Sequence, residues 1–183
     1  MIKFKRGYNK KIGDFLSQFI PRSKGKALDV GCGEGYNSII LKKKGYYVIG
    51  IDIDERMLEL SKNRCDKIKK VDVRKGLPFK DESFDFILAC DVLEHIHNPK
   101  FLLKEIYRIL KKDKKAIIRM PNGPLDIFGK GWNHVHYLSA KEWDKMIEDS
   151  GFQIIQKTHY FIIPVIRILL KSIPNELLRV VRK

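Results

Sequence analysis

At 183 residues with 44% hydrophobic content, the chain is long enough for one domain with a proper core and too short for two comfortable ones. The net charge of +15 is uneven: residues 1–26 hold eight Lys/Arg against one acid and residues 164–183 hold five against one, so the ends carry +7 and +4 of it. Such ends favour an anionic partner, a nucleic acid or a lipid surface, or serve solubility alone, whereas the body of the chain is nearly balanced.

In chain order, residues 1–25 form a basic segment expected to be largely helical. It has no apolar core of the kind a secretory signal carries, and no apolar run in the chain approaches a membrane span. Residues 26–31 (KALDVG) then read as a strand and 36–45 (YNSIILKKKG) as a helix closed by Gly45. Residues 46–52 (YYVIGID) read as a strand, 55–64 as a helix, 68–73 (IKKVDV) and 84–91 (FDFILACD) as strands. Residues 98–112 read as a helix with Asn98 as N-cap and Pro99 at its first position. A strand over 115–120 (KAIIRM) follows. Residues 139–151 then read as a helix with a capping box, Ser139 with Glu142, and with Trp143, Met146 and Ile147 on one face. Residues 152–160 read as a further strand. Alternating strands and helices predict an α/β fold, an open, mostly parallel, doubly wound Rossmann-like sheet of six or seven strands with helices on both faces, whose ligands bind at the carboxyl ends of the strands.

Cys32, Cys65 and Cys90 stand 33 and 25 residues apart, a spacing that fits neither a disulfide framework nor paired zinc ligands and points to a reducing, cytoplasmic setting. The stretch LDVGCGEGYNS places Gly31, Gly33 and Gly35 where a strand gives way to a helix, so a ligand can press on bare backbone and meet free helix N–H groups. Twenty-one residues after Gly31, Asp52 ends the second strand, where an acidic side chain can grip a ribose diol. A dinucleotide fingerprint would need glycine at position 36, which is Tyr36, so a pyrophosphate-binding dehydrogenase is disfavoured.

With Asp29, the GCGEG loop, Asp52, Asp72-Val73 and FDFILACDVLEHIHNP, residues 26–158 resemble the class I S-adenosylmethionine-dependent methyltransferases, and more narrowly the small-molecule branch that includes the ubiquinone-biosynthesis enzymes. The resemblance implies S-adenosylmethionine as methyl donor and S-adenosylhomocysteine as product. Gly31 and Gly33, with Cys32 between them, would pass beside the methionine moiety, and Asp29 would help hold its amino group. Asp52 would bind the ribose hydroxyls, Ile53 and Met57 would pack on the adenine, and Asp72 would accept from the adenine amine with Val73 beside it. Cys90, through its backbone, and Asp91 would line the methyl-transfer cleft.

Methyl transfer from a sulfonium needs alignment and water exclusion above all, and a general base only where the acceptor is a hydroxyl or a protonated amine. His95, His134 and His136 are the candidates for that base, with Asp91 and Glu94 behind them, while His95 equally suits a cleft wall or helix start. A zinc site built from His95, His97, His134 and His136 has no cysteine partner at ligand spacing, so no metal is expected. Cys90-Asp91-Val92-Leu93 replaces the Asp/Asn-Pro-Pro-aromatic motif of amino-methylating nucleic-acid enzymes, and no Pro-Cys pair serves cytosine chemistry, which makes nucleic-acid bases the weaker acceptor class. The leading reading is methylation, O-methylation foremost, of a small-molecule, glycan or lipid-linked acceptor. The alternatives are an RNA or protein methyltransferase, or a non-catalytic cofactor-binding subunit.

Beyond a domain spanning 26–160, residues 161–183 form a basic tail. Val165, Ile166, Leu169, Leu170 and Ile173 fall on one helical stripe, and Leu177, Leu178 and Val181 on another after Pro174, with Arg167, Lys171, Arg179 and Arg182 interspersed. Two C-terminal amphipathic helices are expected, either covering the sheet or a dimer seam, or lying on an anionic membrane at the inner face of the cell.

Overall fold

The computed structural model describes residues 10–123, 133–160 and 176–183. Seven strands form one sheet: β1 (Lys26–Val30), β2 (Tyr47–Asp52), β3 (Lys67–Lys70), β4 (Phe84–Cys90), β5 (Leu110–Pro121), β6 (Gln153–Tyr160) and β7 (Glu176–Arg182). Their order is β3-β2-β1-β4-β5-β7-β6; the first five run parallel, and β7 pairs antiparallel with both β5 and β6. The order reverses between β1 and β4, the place where the connections leaving neighbouring strands diverge and open a crevice.

The helices are α1 (Lys10–Ser17), α2 (Tyr36–Lys43), α3 (Glu55–Ser61), α4 (Pro99–Ile109) and α5 (Ala140–Glu148). On one face, Leu102, Leu103 and Ile106 of α4 and Trp143 and Ile147 of α5 pack on Leu28, Ile87, Ile118 and Val181. On the other, Leu16 of α1 and Ile40 and Leu41 of α2 pack on Ala27, Phe86, Leu88 and Val180. Strands apolar on both faces are what a sheet sandwiched between helices requires. The caps follow the sequence. Asn98 accepts from the Phe101 N–H at 3.1 Å ahead of Pro99, and Ser139 and Glu142 close their reciprocal capping box.

Two boundaries shift. α4 stops at Ile109 and β5 starts at Leu110 without a loop, so the basic run after it is strand rather than helix. β3 ends at Lys70, and Asp72 is the cap of a short 3-10 turn, Val73–Lys75, instead of a strand residue.

The larger correction concerns the C-terminus. Residues 176–182 are the strand β7, an inner strand of the sheet rather than the expected second amphipathic helix, and the domain therefore extends past residue 160. The physical reason is two-sided burial. Leu177 and Val181 enter one core and Leu178 and Val180 the other, so the strand shows no alternation and imitates a helical stripe. Arg179, expected on a polar face, is fully buried beneath α5, where its guanidinium binds Asp144 and donates to the carbonyl of Leu178 at 3.1 Å. The first of the two expected tail helices, like segments 1–9 and 124–132, falls outside the described residues. No helix among the described residues is long and apolar enough to cross a membrane.

Candidate functional site

A cleft of about 320 Å³ opens at the carboxyl ends of β1 to β4, lined by Gly31, Asp52, Ile53, Val71, Asp72, Val73, Arg74, Asp91, Val92, His95 and Ile96. Each strand contributes the residues just past its end, and the cleft straddles the β1/β4 reversal.

The floor is the glycine loop. Gly31 takes φ +64°, and a Cβ there would lie 2.5 Å from Val92 Cγ2, so the loops after β1 and β4 touch only because position 31 has no side chain. Gly33 also takes a positive φ, +51°, and apart from its chain neighbours no atom lies within 4 Å of where its Cβ would be, so its backbone faces open space. The Gly33 N–H donates to Asp52 Oδ2 at 2.9 Å, and the Asp54 N–H donates to Asp52 Oδ1 at 3.0 Å. These two bonds fix the carboxylate at the end of β2 and leave the other lone pairs of both oxygens as acceptors toward the cleft. Beyond α2, Arg64 braces the loop by donating to the Glu34 carbonyl at 2.6 Å while lying over the Tyr36 ring at 4.2 Å.

The walls differ in character. Ile53, 49% exposed, and the buried Val71 and Val73 give an apolar slot at one end. Beside it, Asp72 accepts from Arg74 Nε at 2.7 Å and from its Nη2 at 2.8 Å, and these bonds hold its carboxyl below the usual range. At the other end Asp91, at φ +56°, is paired with the buried Arg119 of β5, and the Asp91 N–H donates to the Arg119 carbonyl at 3.1 Å.

Of the residues singled out from sequence, Gly31, Asp52, Ile53, Asp72, Val73, Asp91 and His95 converge on the cleft. Gly33 lies in its floor loop. Others sit behind it. Asp29 is buried, its Oδ2 accepting from the Ser38 hydroxyl at 2.6 Å, and burial pushes it up to about 7. Cys32 is buried with its thiol facing Ser61 at 4.0 Å, and Met57 lies half-buried on α3 outside the lining. Burial pushes the Cys90 thiol up to about 12, which favours the neutral thiol there. His136 Nε2 lies 2.9 Å from the Ile96 carbonyl and its ring stands near Trp143, which gives it a structural post behind the rim. His134 meets His95 edge to face, ring centroids 4.8 Å apart. The lining residues that went unnamed, Val71, Arg74, Val92 and Ile96, each neighbour a named one, and only the strand-end position could have marked them.

The cleft suits S-adenosylmethionine on the chain's own evidence: open space over a bare glycine, a braced carboxylate for a diol, and an apolar slot with an acid at its edge for a purine. A family profile described as a methyltransferase domain matches residues 28–118. An uncharacterized protein of Methanocaldococcus jannaschii is 35% identical over 156 residues, covering 78% of this chain and 71% of that protein. The ubiquinone biosynthesis O-methyltransferase of Pelagibacter ubique is 30% identical over 142 residues, covering 72% of this chain and 59% of that one. Across such relatives the chain spans from 40% to 71% of their length. Among solved structures, an S-adenosylmethionine dependent methyltransferase from Mesorhizobium loti superposes with a TM-score of 0.79 over 93% of this chain and 96% of that one. At 16% identity that likeness speaks for the fold.

Proposed function

This chain belongs to the S-adenosylmethionine-dependent methyltransferases, and from that premise we propose that it methylates a hydroxyl on a small-molecule acceptor. The observation that carries the cofactor half is Asp52, whose carboxylate is held by two backbone amides at the lip of the open space over Gly33. The acceptor half is supported by the likeness to a ubiquinone biosynthesis O-methyltransferase and by a rim that gathers Asp91 and His95.

Bound S-adenosylmethionine supplies a methyl group on a sulfonium, activated for displacement. The protein's part is to orient and dehydrate. Asp52 accepts from the ribose hydroxyls through charge-assisted hydrogen bonds. Ile53 and Val73 cover the adenine faces, and Asp72, kept ionised by Arg74, accepts from the exocyclic amine. Gly31 and Gly33 let the methionine part lie against backbone. Asp91, oriented by Arg119, and His95, both lining the cleft, would take the proton of an acceptor hydroxyl.

Two measurements test this. Calorimetry should show S-adenosylhomocysteine binding that Asp52→Ala weakens by about 1.5–3 kcal/mol, the worth of hydrogen bonds to a charged group. Methyl-labelled cofactor incubated with lysate fractions should mark the small-molecule pool. Label confined to RNA or protein would overturn the acceptor class, and unchanged affinity in the Asp52 variant would overturn the ribose assignment.

A further inference from the structure

One side-chain cluster at the cleft rim goes beyond the reading above, which draws on His95 alone of its three members. Glu94, His95 and His134 each offer a ligand atom, and these atoms lie within 4.8 Å of one another. Glu94 and His95 are consecutive in the 3-10 turn Leu93–His95 that follows β4, while His134 comes from the segment after residue 132. Two hydrogen bonds clamp these pieces together on either side of His134. The Val135 N–H donates to the Glu94 carbonyl at 2.8 Å, and His95 Nδ1 lies 3.3 Å from the Asn133 carbonyl. Asn133 itself takes φ +59°, which turns the chain so that residues 133–135 fold back over the turn.

We propose that Glu94, His95 and His134 form a binding site for a divalent first-row transition metal ion, Zn²⁺ or a close relative. Two imidazoles and one carboxylate make a donor set suited to such ions and poorly matched to Mg²⁺ or Ca²⁺, which prefer oxygen ligands alone. The second shell is of the right kind: with Nδ1–H donating to the Asn133 carbonyl, His95 keeps Nε2 as its lone-pair donor. Donors around a tetrahedral ion stand about 3.4 Å apart, given metal–ligand bonds of about 2.1 Å. Small side-chain rotations of His95, which is exposed, and of His134, half-buried, close the remaining gap, whereas the buried Glu94 needs to move little.

Three protein ligands leave a coordination position open, as in catalytic rather than structural sites. His95 also lines the cleft, so an ion held there would stand at the cleft rim. There the ion would bind an acceptor oxygen and lower its pKa, and with the His95 lone pair engaged on the ion the hydroxyl proton would pass to Asp91 instead. This role rests on the methyltransferase reading; the metal binding does not.

The full chain, stripped with chelator and dialysed, is titrated with Zn²⁺ and with Mg²⁺ by calorimetry, and its metal content is measured. One Zn²⁺ per chain is expected at micromolar or tighter affinity, with Mg²⁺ at least a hundredfold weaker. His134→Ala and the isosteric Glu94→Gln should each weaken Zn²⁺ at least tenfold, and His97→Ala should not. Affinity equal in the wild type, His134→Ala and Glu94→Gln would put the ion elsewhere, on the thiols for instance, and overturn the site, as would no binding. S-adenosylhomocysteine is titrated into the same preparations. Loss of that binding alone removes the methyltransferase reading and leaves the metal site standing, while Zn²⁺ failing where S-adenosylhomocysteine binds removes the site alone.

Discussion

Asp29 carries the sharpest consequence of the fold for stability. Its carboxyl sits at 1% exposure inside the sheet, with the Ser38 hydroxyl as its hydrogen-bond donor, and burial raises it from an ordinary 3.8 to about 7. In the folded state the group therefore holds its proton across a range in which the unfolded chain has lost it. The sign follows: this contribution favours folding most below about pH 4 and is lost as pH rises toward about 7. At about 1.4 kcal/mol per pH unit, the interval from 3.8 to about 7 amounts to about 4 kcal/mol. Asp29→Asn keeps an oxygen for Ser38 and removes the titration. Its buried amide adds a cost of about 1–3 kcal/mol, which does not vary with pH. The assay is urea unfolding of both proteins from pH 4 to pH 8, with stability of the variant minus stability of the wild type as the readout. Taking the difference cancels the opposite slopes from carboxylates such as Asp72 and Asp54, which are held low by Arg74 and Arg56. The difference should climb by about 4 kcal/mol between pH 4 and pH 7 and then level. A flat difference would refute a protonated Asp29.

Gly33→Val should lower S-adenosylhomocysteine affinity more than tenfold in calorimetry, because the branched side chain enters the open space; it should also cost about 1–3 kcal/mol in urea unfolding, since φ is +51° there. Arg179→Ala breaks the buried pair with Asp144 and should destabilise the fold by about 3–5 kcal/mol, with a loss below 1 kcal/mol counting against that pairing. Removing residues 176–183 should abolish cooperative unfolding, because β7 joins β6 to β5; a truncated chain with an unchanged melting temperature would disprove its place in the sheet.

What was legible in the sequence follows from how local each signal is. The strand–glycine–helix passage at 26–43, the Asn98-Pro99 start and the Ser139/Glu142 box obey rules that span a few residues, and each stands where it was expected. Asp52 was legible because it ends a strand at a set distance from the loop. The misses depend on distant partners. β7 reads as a helix until β5 and β6 are seen on its two sides, and Arg179 reads as a surface charge until Asp144 arrives from α5. Asp72 looked like a strand terminus because its capping role is only visible in the turn that follows. Glu94 was set behind the histidines because nothing local announces that a glutamate in a short turn will be buried beside residues 133–135.

The strand that sequence presented as an appended basic tail bears on the cleft itself. In the β5/β7 ladder Arg119 stands opposite Leu178 and Pro121 opposite Glu176, so the end of β5 that reaches the rim is held on its outer side by the chain's last strand. On its inner side β5 pairs with β4, where Arg119 stands opposite Cys90 and its guanidinium holds Asp91. A perturbation in β7 therefore has a short mechanical route to the Asp91 end of the cleft, where an acceptor is proposed to bind, through one strand and one ion pair. The end built on β1 to β3 stands further from it, on the far side of β4. Volume-conserving changes in β7 that leave the chain folded, such as Leu178→Met, should then disturb acceptor turnover before cofactor affinity. Equal losses in both would mean that the whole sheet relaxes together, and that the two ends of the cleft are not mechanically separable.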